Sequence, residues 1–336
     1  MGMIVCFGEL LIRLSAPGRG LLLQQPSLDV HVGGAEANVA IGLARLGHAT
    51  RMISAVPDNA LGAGAVAALR ASGVESAVIT LPGRMGLYFL SPGAGLRAAE
   101  IIYDRAGSSF ALAPASAFDW PRLLAGATRL HLSGITPALG PQSADLALAA
   151  AQAATALGIA VSFDGNYRSH LWQAWASDPP AILSRLVAHA DILFGNHQDI
   201  GLILGRDFAG DDRQPAAAQA AFAAFPRLRL VAATARTVHA ADSHALSARI
   251  DARDGHGVAD AITLASIVDR IGAGDAFAAG VLHGLLQGDL AQADLAHAAR
   301  TGLALAGLKH YLPGDASLFG QRDIDAFLAG QHDVRR

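Results

Sequence analysis

Short runs of consecutive apolar residues alternate with segments of helical length along most of this chain, and that alternation limits the fold more than any single motif does. The runs 4–7, 50–55, 129–133, 159–163, 192–195 and 228–233 have strand length, and the segments 35–46, 62–72, 144–157 and 181–188 fall between them as helices. Strands that are apolar throughout are buried on both faces. The pattern therefore predicts an α/β fold with a mostly parallel sheet covered by helices on either side. A chain of 336 residues, 52% hydrophobic and only 16% charged, has ample material for such a core. Ligands of such sheets gather at the carboxyl ends of the strands, which is where Asp164, Asn196 and Thr234 fall.

Composition removes several functions. The net charge is −3 with no dense Lys/Arg block, so neither a nucleic-acid backbone nor an anionic membrane is the expected partner. The single cysteine, Cys6, lies inside the first apolar run and reads as a buried strand thiol. The N-terminus lacks a basic leader region, Glu9 interrupts its apolar segment, and 146–163 reads as helix, Gly158 stop and strand, so a cytoplasmic protein without a membrane span is expected. Two regions break the alternation: 11–32 and 86–103, where Leu21-Leu22-Leu23-Gln24 and Leu87-Tyr88-Phe89-Leu90, set between Pro and Gly, read as β-hairpin material.

The chemistry concentrates in Asp269-Arg270-Ile271-Gly272-Ala273-Gly274-Asp275, a glycine-rich turn and a carboxylate at the start of an apolar helix. Unpaired N–H groups and the helix dipole let Gly272, Ala273 and Gly274 hold an anion, and Asp275 beside them can accept the proton of an attacking hydroxyl. The helix terminus is expected to keep that carboxyl ionised near neutral pH. A plain N-cap aspartate after a glycine turn is the alternative. Upstream, Val32-Gly33-Gly34-Ala35-Glu36-Ala37-Asn38 opens another helix, with glycines that let a ligand approach the backbone and Asn38 in the first turn to reach a ligand hydroxyl.

Together the early GG motif and the late GAGD motif resemble the signature pair of the ribokinase-like, or PfkB, carbohydrate kinases, a likeness that covers nearly the whole chain. It implies one domain over 1–336, a three-layer α/β/α sandwich with a small β lid at about 11–32 and 86–105, which often also pairs two subunits as a homo-oligomer. Asp275 would then be the catalytic base, and the Gly272, Ala273 and Gly274 amides the anion hole. ATP and Mg²⁺ are implied, and a monovalent cation is admitted. Arg270 stands where many members carry threonine, which removes a hydroxyl contact to a phosphate or to that cation.

The strings GGAEAN, YDR, LSGITPAL and DGNYR resemble the 2-keto-3-deoxygluconate kinase branch. There the substrate contacts map onto Gly34, Asn38, Tyr88, Tyr103, Arg105 and Arg168. Arginine grips a carboxylate through two parallel bonds, so Arg105 and Arg168 suggest an acidic sugar; surface charge, or a salt bridge to a neighbour such as Asp104, is the alternative reading. Asn196-His197-Gln198-Asp199 resembles the family's N-x-x-E element, with Asp199 reaching magnesium through water, or else is a polar helix start. Thr234 is the candidate nucleotide contact in a segment that lacks the family's G-x-x-G loop, with no glycine between Gly210 and Gly255. Asp315, after Pro313-Gly314, is either a sugar contact or ordinary turn chemistry. His239, Asp242 and His244 fit no metal-ligand spacing and read as exposed loop residues. A kinase for a neutral sugar such as fructose or ribose, and a non-catalytic sugar or nucleotide sensor, stay open.

Overall fold

The computed structural model describes residues 2–286, 294–331 and 333. In chain order its strands are β1 (Met3–Phe7), β2 (Leu11–Ser15), β3 (Asp29–Gly33), β4 (Thr50–Pro57), β5 (Glu75–Leu81), β6 (Leu87–Ser91) and β7 (Glu100–Asp104). They continue with β8 (Ala127–Ser133), β9 (Ala160–Asp164), β10 (Ile192–Phe194), β11 (Leu230–Ala240), β12 (Ser243–Ala252) and β13 (His256–Ala265). The central sheet runs β13-β12-β11-β10-β9-β8-β1-β4-β5, parallel from β11 to β5, with β12 and β13 added antiparallel at one edge.

Period-two alternation divides each buried strand between two cores. On β1, Ile4 and Cys6 join the apolar cluster of helices Ala35–Arg45, Ala273–Leu286 and Leu295–Lys309, while Val5 and Phe7 join that of Pro141–Ala156, Pro179–Val187, His197–Leu204 and Arg213–Ala224. Each fully buried Leu or Phe contributes about 1.5–3 kcal/mol to this arrangement. The result is the three-layer sandwich that the alternation predicts. Cys6 is a buried free thiol, and burial pushes its pKa up, so it is inert. No helix among the described residues is long and apolar enough to cross a membrane.

The two irregular regions form a separate four-stranded sheet, β3-β2-β6-β7. Two antiparallel hairpins are joined by a parallel β2–β6 pair, with Arg13 opposite Tyr88 and Tyr88 opposite Tyr103. Leu87 to Leu90 lie in β6 as expected, but Leu21 to Gln24 do not form a strand: Leu22 and Leu23 make a turn, and Leu23 has φ 64°. A three-leucine run without a polar alternation partner has no face to bury, and local turn bonds take over.

The other departure is β11. It continues past Ala233 to Ala240, pairing with β12 where a glycine-rich loop would otherwise stand.

Candidate active site

Two helices start side by side at the carboxyl ends of the parallel strands. Ala35–Arg45 follows Gly34 and Ala273–Leu286 follows Gly272, and Asn38 Nδ2 donates to Asp275 Oδ2 at 2.7 Å across 237 residues of sequence. The two glycine motifs thus meet, and Asn38 contacts the carboxyl itself. Gly34 has φ 140°, and a Cβ there would lie 2.1 Å from the Glu9 carbonyl oxygen; Gly272 has φ 75°, and a Cβ there would lie 1.6 Å from the Asp315 carbonyl oxygen. Both positions need glycine because the protein's own backbone approaches them. Ala276 N bonds to Gly272 O at 2.8 Å and Ala273 N to Arg270 O at 3.3 Å. The N–H groups of Gly274 and Asp275 find no acceptor among the described residues, and a Cβ on Gly274 would face open space.

Asp275 differs from the sequence expectation in its charge. Burial raises its pKa to about 8, opposed by the Asn38 hydrogen bond and reinforced by Asp164, Glu36 and Asp315. Burial, with the neighbouring carboxylates behind it, outweighs the helix terminus, and a value near the working pH suits a general base.

Glu36 is one of those neighbours, and no sequence pattern singles it out. Buried to 1% exposure, its Oε1 accepts from Ser133 N (3.1 Å), Ser133 Oγ (2.7 Å) and Thr136 Oγ1 (2.9 Å). It ties the first turn of its helix to the end of β8.

The lid is joined to the catalytic turn by a buried polar network. Arg13 of β2, 1% exposed, contacts Asp269 Oδ2 at 2.6 Å and Asp315 Oδ1 at 3.1 Å, and Tyr88 Oη donates to Asp315 Oδ2 at 2.6 Å. Asp269 also accepts from Ile271 N and Gly314 N, each at 3.0 Å. Tyr88 and Asp315, both expected at the sugar, are therefore bonded to each other. Arg105 is likewise engaged: its Nε donates to the buried Glu9 Oε2 at 2.6 Å, and Ser108 Oγ bonds the other oxygen. Asp104 pairs instead with Arg84. The signal for Glu9 and Arg13 was a charge inside an apolar run.

Tyr103 stacks on His170 with centroids 4.8 Å apart, linking β7 to the segment that carries Arg168. Arg168 is exposed. Its Nη1 donates to the Tyr167 carbonyl at 3.0 Å, and no carboxylate pairs with it among the described residues. Arg168 and Arg236 both lower the pKa of Arg270, after burial, so three guanidinium groups gather near the turn.

Asn196 and Asp199 form a reciprocal helix cap: Asn196 Oδ1 accepts from Gln198 N (2.7 Å) and Asp199 N (3.3 Å), while Asp199 Oδ2 accepts from Asn196 N at 2.9 Å. Burial and the Asp199 charge push Asp164, at the end of β9, up to about 7. Two carboxylates whose charges oppose each other fit a divalent cation that completes its shell with phosphate and water, as Mg²⁺ does. Among the described residues no group of three or more His, Cys, Asp or Glu forms a metal cluster.

Thr234 lies within β11, half-exposed and opposite Ala248. Of the scattered histidines, His239 is exposed, but His244 is buried against His310, and Asp242 pairs with Arg19 at 2.7 Å. The hairpin folds His244 inward, correcting the loop reading. A cavity of 640 Å³ between lid and hairpin reaches Arg13, Asp269 and Arg270 but not Asp275, Asn38 or Gly34.

The sequence pattern described as "pfkB family carbohydrate kinase" matches residues 1–317. The chain is 32% identical over 331 residues to a 2-dehydro-3-deoxygalactonokinase of Haloferax volcanii, covering 97% of this chain and 96% of that one. It is 28% identical over 340 residues to a 2-dehydro-3-deoxygluconokinase of Bacillus subtilis, covering 99% and 97%. The crystal structure of a 2-dehydro-3-deoxygluconokinase from Thermotoga maritima superposes with a TM-score of 0.91 at 34% identity, covering 98% of this chain and all of that one.

Proposed function

The chain belongs to the pfkB family of carbohydrate kinases, which transfer phosphate from ATP with Mg²⁺ to a sugar, and we propose that its sugar is a 2-keto-3-deoxy acid, 2-keto-3-deoxygluconate at its 6-hydroxyl. The observation that carries this reading is Arg168, an arginine without a carboxylate partner within the same constellation as Asp275. An unpaired guanidinium has the fork geometry for a substrate carboxylate. Arg105, paired with the buried Glu9, shapes the wall rather than acting as a second free clamp.

In the mechanism, Asp275 accepts the proton of the sugar hydroxyl as that oxygen attacks the γ-phosphorus. Asn38 holds the carboxyl in place through Oδ2. The Gly274 N–H, with that of Gly272, meets the charge that develops on the transferring group, while the Ala273 N–H closes the turn on Arg270 O and so shapes the hole rather than donating into it. Arg270 and Arg236 add positive potential. Asp164 and Asp199 would hold the Mg²⁺, Asp199 through water, and bound there the ion screens the phosphate charges. Thr234 and Asn196 flank the nucleotide. Gly34, Tyr88 and Tyr103 line the sugar side, and Asp315 orders Tyr88 there. The lid excludes water during transfer. The cross-strand row Val30, Leu14, Phe89 and Ile102 is exposed at its two ends, Val30 62% and Ile102 50%, while Leu14 packs on the core, and those exposed ends are where two subunits would pair in a cytoplasmic homo-oligomer.

The test is ADP release from Mg-ATP with 2-keto-3-deoxygluconate, its galactonate epimer, gluconate, fructose and ribose, for wild type and Arg168→Ala. Turnover confined to the keto-deoxy acids, with KM raised about 100-fold in the variant, is expected. Preference for fructose or ribose, or indifference to Arg168→Ala, would discard the acidic-sugar reading. No ATP consumption with any sugar would favour a sensor.

A further inference from the structure

The family resemblance admits a monovalent cation beside the segment that precedes Gly272, and the residues there do not fit one. Lys309, at the end of helix Leu295–Lys309, is 0% exposed, and its Nζ stands 2.9 Å from the Leu312 carbonyl oxygen and 3.5 Å from the Asp269 carbonyl oxygen. Those carbonyls belong to the two segments that build the catalytic turn. Val268 N and Asp269 N both bond to His310 O, at 2.9 and 3.1 Å, so the two segments are strapped together next to the residue that carries the ammonium. Asp269 then fixes Ile271 and Gly314 through their N–H groups, and the Asp315 carbonyl presses against Gly272.

We propose that the Lys309 ammonium is a tethered cation, a positioning residue that takes the carbonyl oxygens a dissolved monovalent ion would otherwise bridge, so that phosphoryl transfer in this protein needs no added potassium. A primary ammonium has a single charge and three donors, enough to bridge oxygens from two loops. Burial lowers its pKa, with Arg13 adding to that, and the nearby Asp269 and Asp315 carboxylates work against the shift and favour the charged form. Arg270, where a hydroxyl side chain is common, is consistent with a site that has lost its dissolved ion.

The inference rests on the reading of the Gly272 to Asp275 turn as a phosphoryl-transfer centre, and two measurements separate its failure from failure of the substrate assignment. The first is kcat of the full chain in tetramethylammonium chloride against potassium chloride at equal ionic strength. Wild type should differ by less than about twofold, whereas Lys309→Met should lose about 10- to 100-fold in kcat at nearly unchanged sugar KM and recover most of it in ammonium or potassium. The second is the thermal midpoint in the same salts, which needs no turnover: wild type should show no potassium-specific rise, and Lys309→Met should acquire one. A roughly tenfold activation of wild type by potassium, a potassium-specific rise in its midpoint, or full activity of Lys309→Met without the ion would each overturn the proposal. If Lys309→Met does not fold, the wild-type comparison alone decides. If none of the panel sugars is turned over, the substrate reading fails while the thermal comparison still tests the lysine.

Discussion

Replacing Asp275 by asparagine should abolish most activity and at the same time stabilise the protein, because the base is held where a charge is costly. The carboxyl titrates at about 8 in the fold against 3.8 for an unstrained aspartate, with burial the main cause. At 1.36 kcal/mol per pH step, that gap corresponds to about 5–6 kcal/mol if wholly expressed. The group is half-buried and water reaches part of it, so we take about 2 kcal/mol as the penalty in solution. The sign follows from the folded value lying above the unfolded one: the penalty is absent below about pH 4, grows as pH rises, and is complete above about pH 8. An amide can keep the Asn38 contact by offering its carbonyl oxygen to Nδ2, so no packing is lost. Urea unfolding of Asp275→Asn at pH 8.5 should therefore show a gain of about 2 kcal/mol over wild type that disappears near pH 4. In the same protein kcat should drop about 10²- to 10⁴-fold with sugar KM nearly unchanged. A variant less stable than wild type at pH 8.5, or one retaining kcat within about tenfold, would refute the account of this carboxyl.

The same titration predicts that kcat/KM of the free enzyme rises with pH to a plateau above about 8; a profile flat from pH 6 to 9 would exclude Asp275 as the base. Arg105→Ala leaves the Glu9 carboxylate buried without its cation, so it should cost about 3–5 kcal/mol in chemical denaturation beyond any change in KM. A stability loss under about 1 kcal/mol would return Arg105 to the role of a free substrate clamp. Gly272→Ala places a methyl 1.6 Å from the Asp315 carbonyl oxygen on a backbone with φ 75°, so kcat should fall at least about tenfold through displacement of the turn; wild-type kinetics would contradict the close approach.

The layers were legible in the sequence because apolar runs and helical segments follow the periods that burial imposes. The two glycine motifs were legible because only glycine serves at Gly34 and Gly272, although it is the Glu9 and Asp315 backbone, rather than a ligand, that demands it. What stayed hidden is long-range pairing. Arg13 finds Asp269 and Asp315, Glu9 finds Arg105, and Lys309 finds the Asp269 carbonyl forty residues upstream. A charged residue amid leucines and isoleucines announces that some partner exists, but not which. The Leu21 to Gln24 run misled for the opposite reason, since hydrophobicity without a neighbouring strand does not make a strand. The extension of β11 escaped notice because its outer half, Ala235 to His239, is exposed and polar enough to read as loop.

The Arg13 network has a consequence for how the protein admits its substrates. Because Arg13 sits at the middle of β2 and is bound to both segments that hold the catalytic turn, the base of the lid cannot lift without stripping two buried carboxylates of their counter-charge. The root of the lid is thus a fixed pivot, and entry has to be granted by its rim, around Pro92 to Ala98, which is held by no ion pair among the described residues and only by lighter bonds such as Ala241 N to Gly95 O at 2.8 Å. A protein built this way keeps its reaction centre assembled while it waits, and spends motion on traffic rather than on assembly.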